Sequence, residues 1–405
     1  MHIIRDRELK WDVLSLFIMA SVTVGIVRDG LPALFPFIQA EFNLTRAEVG
    51  LFSTFLFSSS TILAVYTGQI VDYFGSRNGL ITGILISGIS LMLYAFMPSF
   101  FLILMLSIIS GLGFSMISPS TSKGVLAHIS YSRRATAMGF VQSGIGVGSL
   151  TAAAFLPVLG EHFSWRFGML LLGIAAILIA AIIRAKYQDK MDGQHDKNKG
   201  FSPKYLFRQS MQLLLNNKYL RNLCMTGFMF AAVYSVINFH LVLYLHHDLY
   251  LSPTISAWGF GFFHLGGIFG RFGWGVIIDR FFLGSRRKGL FACGIFTSLG
   301  LFLLPLIGVN VSLVVLFLLV LYIGFALVFF GIYMVALSEA AGYSFTGLAV
   351  GLGLMWMRVS IMIHPPVMGY IADLYGDYRL VWVIMSTILL VFSILLYRHS
   401  AQFEK

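Results

Sequence analysis

Apolar positions along this chain fall into long blocks, and short polar stretches separate them. Twelve blocks are visible, at 12–40, 48–71, 79–97, 100–127, 135–160, 165–184, 221–247, 253–279, 288–308, 311–337, 346–373 and 378–397. The pattern shows no period-2 alternation and no single apolar stripe. Each block is long enough, as a helix rising 1.5 Å per residue, to cross the ~30 Å hydrocarbon layer of a bilayer. The expected fold class is therefore all-α membrane, with twelve transmembrane helices. The longest polar stretch, Arg184 to Arg221, divides them six and six. The expected organisation is an N-terminal bundle over 1–184, a cytoplasmic central loop over 185–220 and a C-terminal bundle over 221–405. Within the loop, Pro203–Leu215 has the pattern of an amphipathic surface helix.

Composition supports a lipid solvent. Of the 405 residues, 58% are hydrophobic and 11% charged, against roughly 25% charged in soluble domains. The formal net charge is +11, but the cations sit in loops between apolar blocks, which argues against a nucleic-acid footprint. Their distribution is uneven. The N-terminus, the loops after spans 2, 4 and 8, the central loop and the C-terminus together hold 21 Lys and Arg. The opposite loops hold only Arg46, Arg166 and Arg379. The positive-inside rule then places both termini and the central loop in the cytoplasm. The first ten residues are polar and no small-residue cleavage site follows span 1, so span 1 is expected to act as its own insertion signal. Cys224 and Cys293, each inside an apolar block, suggest no disulfide. No Gly-x4-Gly-Lys-Ser/Thr loop, HExxH or CxxC is present, so neither ATP drive, a metal nor a cofactor is expected.

The two halves repeat. Span 2 ends in Gly68-Gln-Ile-Val-Asp72 with Gly75 and Arg77 following, and span 8 ends in Gly275-Val-Ile-Ile-Asp279 with Gly284, Arg286 and Arg287 following. The two aspartates are 207 residues apart. Spans 5 and 11 end in Pro157-Val-Leu-Gly160 and Pro366-Val-Met-Gly369, and these prolines are 209 residues apart. The segment Gly68-x3-Asp72-x2-Gly75-x-Arg77 resembles the loop 2–3 signature of the major facilitator superfamily, and its copy after span 8 carries two extra residues. The resemblance covers the whole chain. It implies two six-helix bundles that rock about a central cavity lined mainly by helices 1, 4, 7 and 10. It also implies that Gly68, Asp72, Gly75 and Arg77, mirrored by Asp279 and Arg286, form a cytoplasmic latch. In that latch an Asp caps a helix start and pairs with Arg.

Ionisable residues inside spans are costly and mark function. Arg28 lies about 25 Å along span 1. Val27-Arg28-Asp29-Gly30-Leu31 is similar to helix 1 of organophosphate and anion:cation symporters, where an Arg grips phosphate or carboxylate. Guanidinium suits that task because its planar fork pairs an oxyanion bidentately. Lys123, in Pro119-Ser-Thr-Ser-Lys123, sits where the same symporters carry a cavity-facing cation in helix 4, often Arg. Arg271 resembles a carboxylate-gripping Arg in helix 8 of monocarboxylate and oxalate carriers. Arg358 falls mid-span in helix 11, where oxalate-type carriers also place a cation. These four cations meet one mid-span acid, Asp29. The competing reading is a structural salt bridge for Arg28 and for Arg271, and a cytoplasmic-end anchor for Lys123.

Consecutive helical residues point ~100° apart, so Asp29 is expected to pair with Arg271 or Arg358, or to serve as a proton-coupling site. His240 is a second proton-coupling and substrate-binding candidate, ahead of His264 and His364. Tyr234, Asn238 and Tyr333 are polar tips expected to line the substrate chamber, with Tyr322 a further choice. The glycines Gly144, Gly146 and Gly148 are read as a close-packing face. The sequence thus points to a monomeric transporter, not an enzyme, in a bacterial inner membrane. Its partners would be membrane lipid, a small organic anion (carboxylate or organophosphate) and a symported proton. Anion exchange and export of drug-like or siderophore-like metabolites stay open, as does a transport-dead sensor.

Overall fold

A computed structural model describes residues 10–62, 64–130, 133–189, 212, 214–341 and 346–399. Among them the chain forms fourteen α-helices. These are α1 (Trp11–Ala33), α2 (Phe35–Phe42), α3 (Arg46–Ile62), α4 (Ala64–Tyr94), α5 (Phe100–His128), α6 (Arg134–His162) and α7 (Trp165–Lys186) in the first half. The second half has α8 (Lys218–His247), α9 (Pro253–Phe281), α10 (Arg286–Leu303), α11 (Leu313–Ala326), α12 (Phe330–Ala341), α13 (Thr346–Tyr375) and α14 (Arg379–His399).

Among the described residues, eleven helical stretches are long and apolar enough to cross a membrane. They account for every expected span except the second. That span is divided between α3 and the start of α4, around residue 63, which lies outside the described residues. The fold is all-helical and membrane-spanning, as the hydropathy blocks imply. Most of the central loop, including the expected surface helix at Pro203–Leu215, falls outside the described residues.

Local sequence sets the helix ends. Ser99, Ser164, Asn217 and Ser285 precede α5, α7, α8 and α10, and each side-chain oxygen accepts a backbone N–H of the first turn. These caps satisfy donors that a helix start leaves orphaned. Within α4 the chain breaks at Gly75, whose φ of 86° and ψ of 163° lie where a side chain is strained. Spans 2 and 3 are therefore two helices joined by a tight break at Gly75 in the loop motif.

The chain divides into two compact units. Unit 1 holds 1–44, 55–197 and 253–261, and unit 2 holds 45–54, 198–252 and 262–405. Two short segments, 45–54 and 253–261, group with the opposite half of the chain. In unit 1, α1 packs on α6, and α4 packs on α5 and α7. In unit 2, α8 packs on α13 and α14, and α10 packs on α14.

The α1–α6 contact is a backbone approach. A Cβ at Gly25 would collide with the Ile145 carbonyl, and one at Gly148 with the Val22 carbonyl. Small residues allow such contact, which dispersion and packing hold together in lipid. This close seam fixes the positions of Arg28 and Asp29 on α1 against Ser149 on α6.

Candidate functional site

In unit 1 the mid-membrane chemistry centres on one trio. Arg28 Nε donates to Asp29 Oδ1 at 2.8 Å and Arg28 Nη2 to Asp29 Oδ2 at 2.6 Å. Ser149 Oγ donates to Asp29 Oδ2 and accepts from Arg28 Nη2 at 3.3 Å. The Asp29 side chain is fully buried, whereas that of Arg28 is 16% exposed. This corrects the expectation that Arg28 and Asp29 point apart. Their Cβ atoms diverge, but the three methylenes of Arg28 let the fork bend back onto its neighbour's carboxylate. Asp29 accordingly takes a guanidinium partner from its own helix. The arrangement is a fork-to-fork, charge-assisted pair deep in the protein, where losing one partner would strand a buried charge.

Lys123, on α5, donates from Nζ to the Val71 carbonyl at 3.1 Å. Val71 stands four residues before Gly75, where the helical ladder of α4 is interrupted, so the ammonium meets a carbonyl of the terminating turn.

Around the hinge, Asp189 accepts the Arg77 N–H at 3.0 Å, capping the restarted helix. Arg77 Nη2 donates to the Arg184 carbonyl at 2.6 Å in the last turn of α7. Tyr187 and Ser76 meet by their hydroxyls at 3.1 Å. The loop motif is thus anchored by the end of α7. Gly68 lies in α4, and the side chains of Asp72 and Asp279 are outside what the structure describes. Their mate Arg286 lies 3.6 Å from Glu339 as a part-exposed ion pair, a contact of small energetic weight.

In unit 2 the candidates are spread along α8, α9, α12 and α13. His240 is fully buried, with Nδ1 3.0 Å from the Tyr378 hydroxyl and Nε2 2.7 Å from the Pro365 carbonyl. Both ring nitrogens therefore face protein groups. Asn238 is buried and Tyr234 half-buried on the same helix. Tyr333 is fully buried on α12, its ring tip against the backbones of Gly227 and Gly353. Arg271 is exposed on α9 and Arg358 half-buried on α13. His364 is 3.0 Å from both the hydroxyl and the carbonyl of Ser360, and His264 is buried on α9. Tyr322 donates to the Phe296 carbonyl. No group of three or more His, Cys, Asp or Glu suited to a metal occurs among the described residues.

Several partners escaped the sequence reading: Ser149, Asp189 and Glu339, and in unit 2 Asp248. Asp248 follows α8, accepts the Tyr378 N–H at 2.7 Å and lies 3.7 Å from Arg46. Burial pushes its carboxyl up to about 6, with the Tyr378 N–H and Arg46 pulling the other way. The free carboxyl titrates near ~3.9. Between those values the folded protein holds the proton more tightly than the unfolded chain, so this group's contribution to stability falls as pH rises through that window. Asp248→Asn keeps an acceptor for Tyr378 and carries no charge. Its apparent Tm in detergent should therefore fall less than the wild type's between pH ~4.5 and ~7. Parallel curves for the two proteins would contradict this assignment.

The comparisons with known proteins now bear on these geometries. A profile described as Major Facilitator Superfamily matches residues 17–361. The chain belongs to the major facilitator superfamily. Among curated relatives, the membrane sensor protein UhpC of Salmonella typhimurium is 24% identical over 300 residues, covering 69% of this chain and 67% of UhpC. Monocarboxylate transporter 12 of Xenopus laevis is 24% identical over 407 residues, covering 95% of this chain and 87% of the relative. Among solved structures, an inward-facing, occupied bacterial homologue of the human lysosomal transporter Spinster superposes with a TM-score of 0.78. Its sequence identity is 16%, covering 96% of this chain and 97% of that one. A point mutant of the nucleoside transporter NupG reaches 0.78 at 14% identity, covering 96% of this chain and 99% of that one. These structures share the fold. This superfamily chain is an integral multi-pass membrane protein and a transporter of a small solute.

Proposed function

We propose that this transporter imports a small organic anion, a carboxylate or organophosphate, together with a proton. The observation that carries the proposal is the Arg28–Asp29–Ser149 trio. The carboxylate of Asp29 occupies the guanidinium fork with the geometry that a substrate carboxylate or phosphate would present. A proton on Asp29 removes its charge and weakens its claim on Arg28, and the fork then turns to the incoming anion. Proton and anion load together, and neither Arg28 nor Asp29 is left as an uncompensated buried charge. Loading one without the other does strand a charge, which is what makes coupling obligatory.

Three further cations inside spans, Lys123, Arg271 and Arg358, keep the formal mid-membrane balance positive and favour an anionic cargo. The relatives named as monocarboxylate transporters, 24–26% identical, support a carboxylate ahead of a phosphate ester. Gating falls to the hinge at Gly75 and its anchors Arg77 and Asp189, with Asp72, Gly68, Asp279 and Arg286 completing the two copies of the motif. The 21-to-3 distribution of Lys and Arg supports cytoplasmic termini in a bacterial inner membrane.

The test is uptake into proteoliposomes of radiolabelled monocarboxylates and phosphate esters, with and without an inward proton gradient. The proposal expects one class to accumulate only with the gradient. Gradient-independent counterflow of the same solutes would favour anion exchange.

A further inference from the structure

Ser149 stands one helical turn after Ile145 on α6 and meets α1 at the glycine seam. It is fully buried, and its hydroxyl has more acceptors in reach than it can serve at once. Oγ lies within hydrogen-bond distance of Asp29 Oδ2, of the Ile145 carbonyl at 3.0 Å and of Arg28 Nη2 at 3.3 Å. The carboxylate and the carbonyl each call for a donor, and a hydroxyl carries one proton. The guanidinium calls for an acceptor, and a hydroxyl has two lone pairs. While Asp29 is ionised, the proton goes to Oδ2, one lone pair goes to Arg28, and one lone pair remains.

The seam holds this hydroxyl in place. A Cβ on Gly25, one turn before Asp29, would lie 2.8 Å from the Ser149 amide nitrogen and would collide with the Ile145 carbonyl. The serine backbone and its second acceptor are thus both fixed against α1. Turning the hydroxyl proton about the Cβ–Oγ bond changes its acceptor without moving either helix.

We propose that Ser149 is a positioning residue that holds Asp29 in both of its charge states, by reversing the direction of their hydrogen bond when Asp29 takes a proton. The inference deepens the proton-coupled reading of Arg28 and Asp29 and rests on it. With Asp29 ionised, Ser149 Oγ donates to Oδ2. A proton arriving at Oδ2 forms an O–H bond there, and the new O–H donates to the remaining lone pair of Ser149 Oγ. The serine proton turns to the Ile145 carbonyl. No covalent bond breaks, and Asp29 alone changes charge. Arg28 then turns its fork to the anion while the neutral carboxyl stays bonded to α6. Without Ser149 the new O–H loses this acceptor, and a buried donor that loses its acceptor costs free energy. That cost works against releasing Arg28.

Arg28 is the charged group bonded to Asp29. The elements packed against α1 carry their ionisable residues toward their ends or, in α4, also beside the break at Gly75. Among these are Arg134 and Glu161 on α6, Lys123 and His128 on α5, Arg166 and Arg184 on α7, and Asp72 and Arg77 on α4. A titration is therefore assigned to Asp29 only against a variant that lacks its carboxyl.

The test reads that carboxyl directly and uses no transport substrate. Infrared difference spectra between pH ~4 and ~9 span the carboxyl range and its upward shifts. They are recorded on the purified full chain in lipid, for the parent protein, Asp29→Asn, Ser149→Ala and Ser149→Thr. A protonated-carboxyl stretching band that the parent shows and Asp29→Asn lacks belongs to Asp29. In Ser149→Ala this band should shift to higher frequency, because its O–H has lost an acceptor. Ser149→Thr, which restores a hydroxyl, should return the band to the parent position. Alanine adds no atom to the seam, so the first variant should fold. A loss of packing alone would lower the thermal midpoint and leave the band where it was. A band unmoved in Ser149→Ala, or unrestored in folded Ser149→Thr, overturns the inference and leaves proton uptake by Asp29 standing. A parent spectrum with no band assignable to Asp29 overturns the proton-coupled reading, and this inference with it.

Discussion

Arg28→Ala is expected to abolish saturable anion uptake, with a loss of about a hundredfold or more in kcat/KM. Two effects add. The variant removes the fork that would grip the anion, and charge-assisted bidentate pairs are the strong members of their class. It also leaves Asp29 buried beside Ser149 without its guanidinium partner, and breaking one side of a buried pair costs roughly 3–5 kcal/mol. Asp29 would then have no guanidinium fork to release, and the cycle would lose its switch. Arg28→Lys separates the two effects. An ammonium neutralises Asp29 but cannot present two parallel N–H groups. The lysine variant should fold with near-normal thermal stability and still lose about tenfold in apparent anion affinity. Binding by equilibrium dialysis and uptake in proteoliposomes check both variants. Normal binding in Arg28→Ala would remove Arg28 from the site.

The second large effect is expected at Asp29. Asp29→Asn retains an acceptor for Arg28 and for Ser149, so the seam between α1 and α6 should persist. It removes the only mid-span carboxylate. Arg28 is then without its competing anion, and substrate binding should become as tight as at saturating proton, or tighter. Uphill uptake driven by a proton gradient should vanish, because the switch on α1 no longer changes charge during the cycle. Exchange of internal for external anion needs no proton step and should survive at a rate within about threefold of wild type. Loss of both activities would point instead to a purely structural Arg28–Asp29 pair.

Much of this was legible in the pattern of residues. Span positions follow from the length of the apolar blocks, because lipid forces backbone groups to bond within their own helix. Gly75 was legible only as a member of the loop motif, and its positive φ, which breaks α4, emerged from the structure.

The Arg28–Asp29 pair was misread for a physical reason. Helical periodicity fixes where a Cβ points, not where a three-methylene side chain ends. Asp189 lies in the polar loop that follows α7, where nothing in its neighbourhood marks it as the cap of a helix start 112 residues earlier. The carboxylate of Asp373 accepts the Arg46 N–H across 327 residues of sequence. The substrate site is less legible still. Arg271 and Arg358 lie on separate helices of unit 2 from Tyr234 and Asn238, and the repeat assigns them no common partner.

The central claim is that proton and anion share one switch at Arg28 and Asp29. Its most direct test is the pH dependence of anion binding at equilibrium, measured between pH ~5.5 and ~8.5 on wild type and Asp29→Asn with the solute identified by uptake. The account predicts that wild-type affinity weakens as pH rises, approaching about tenfold per unit above the relevant pKa. In Asp29→Asn the affinity should stay tight and flat. A wild-type affinity that ignores pH, or a variant that keeps the full slope, would contradict it.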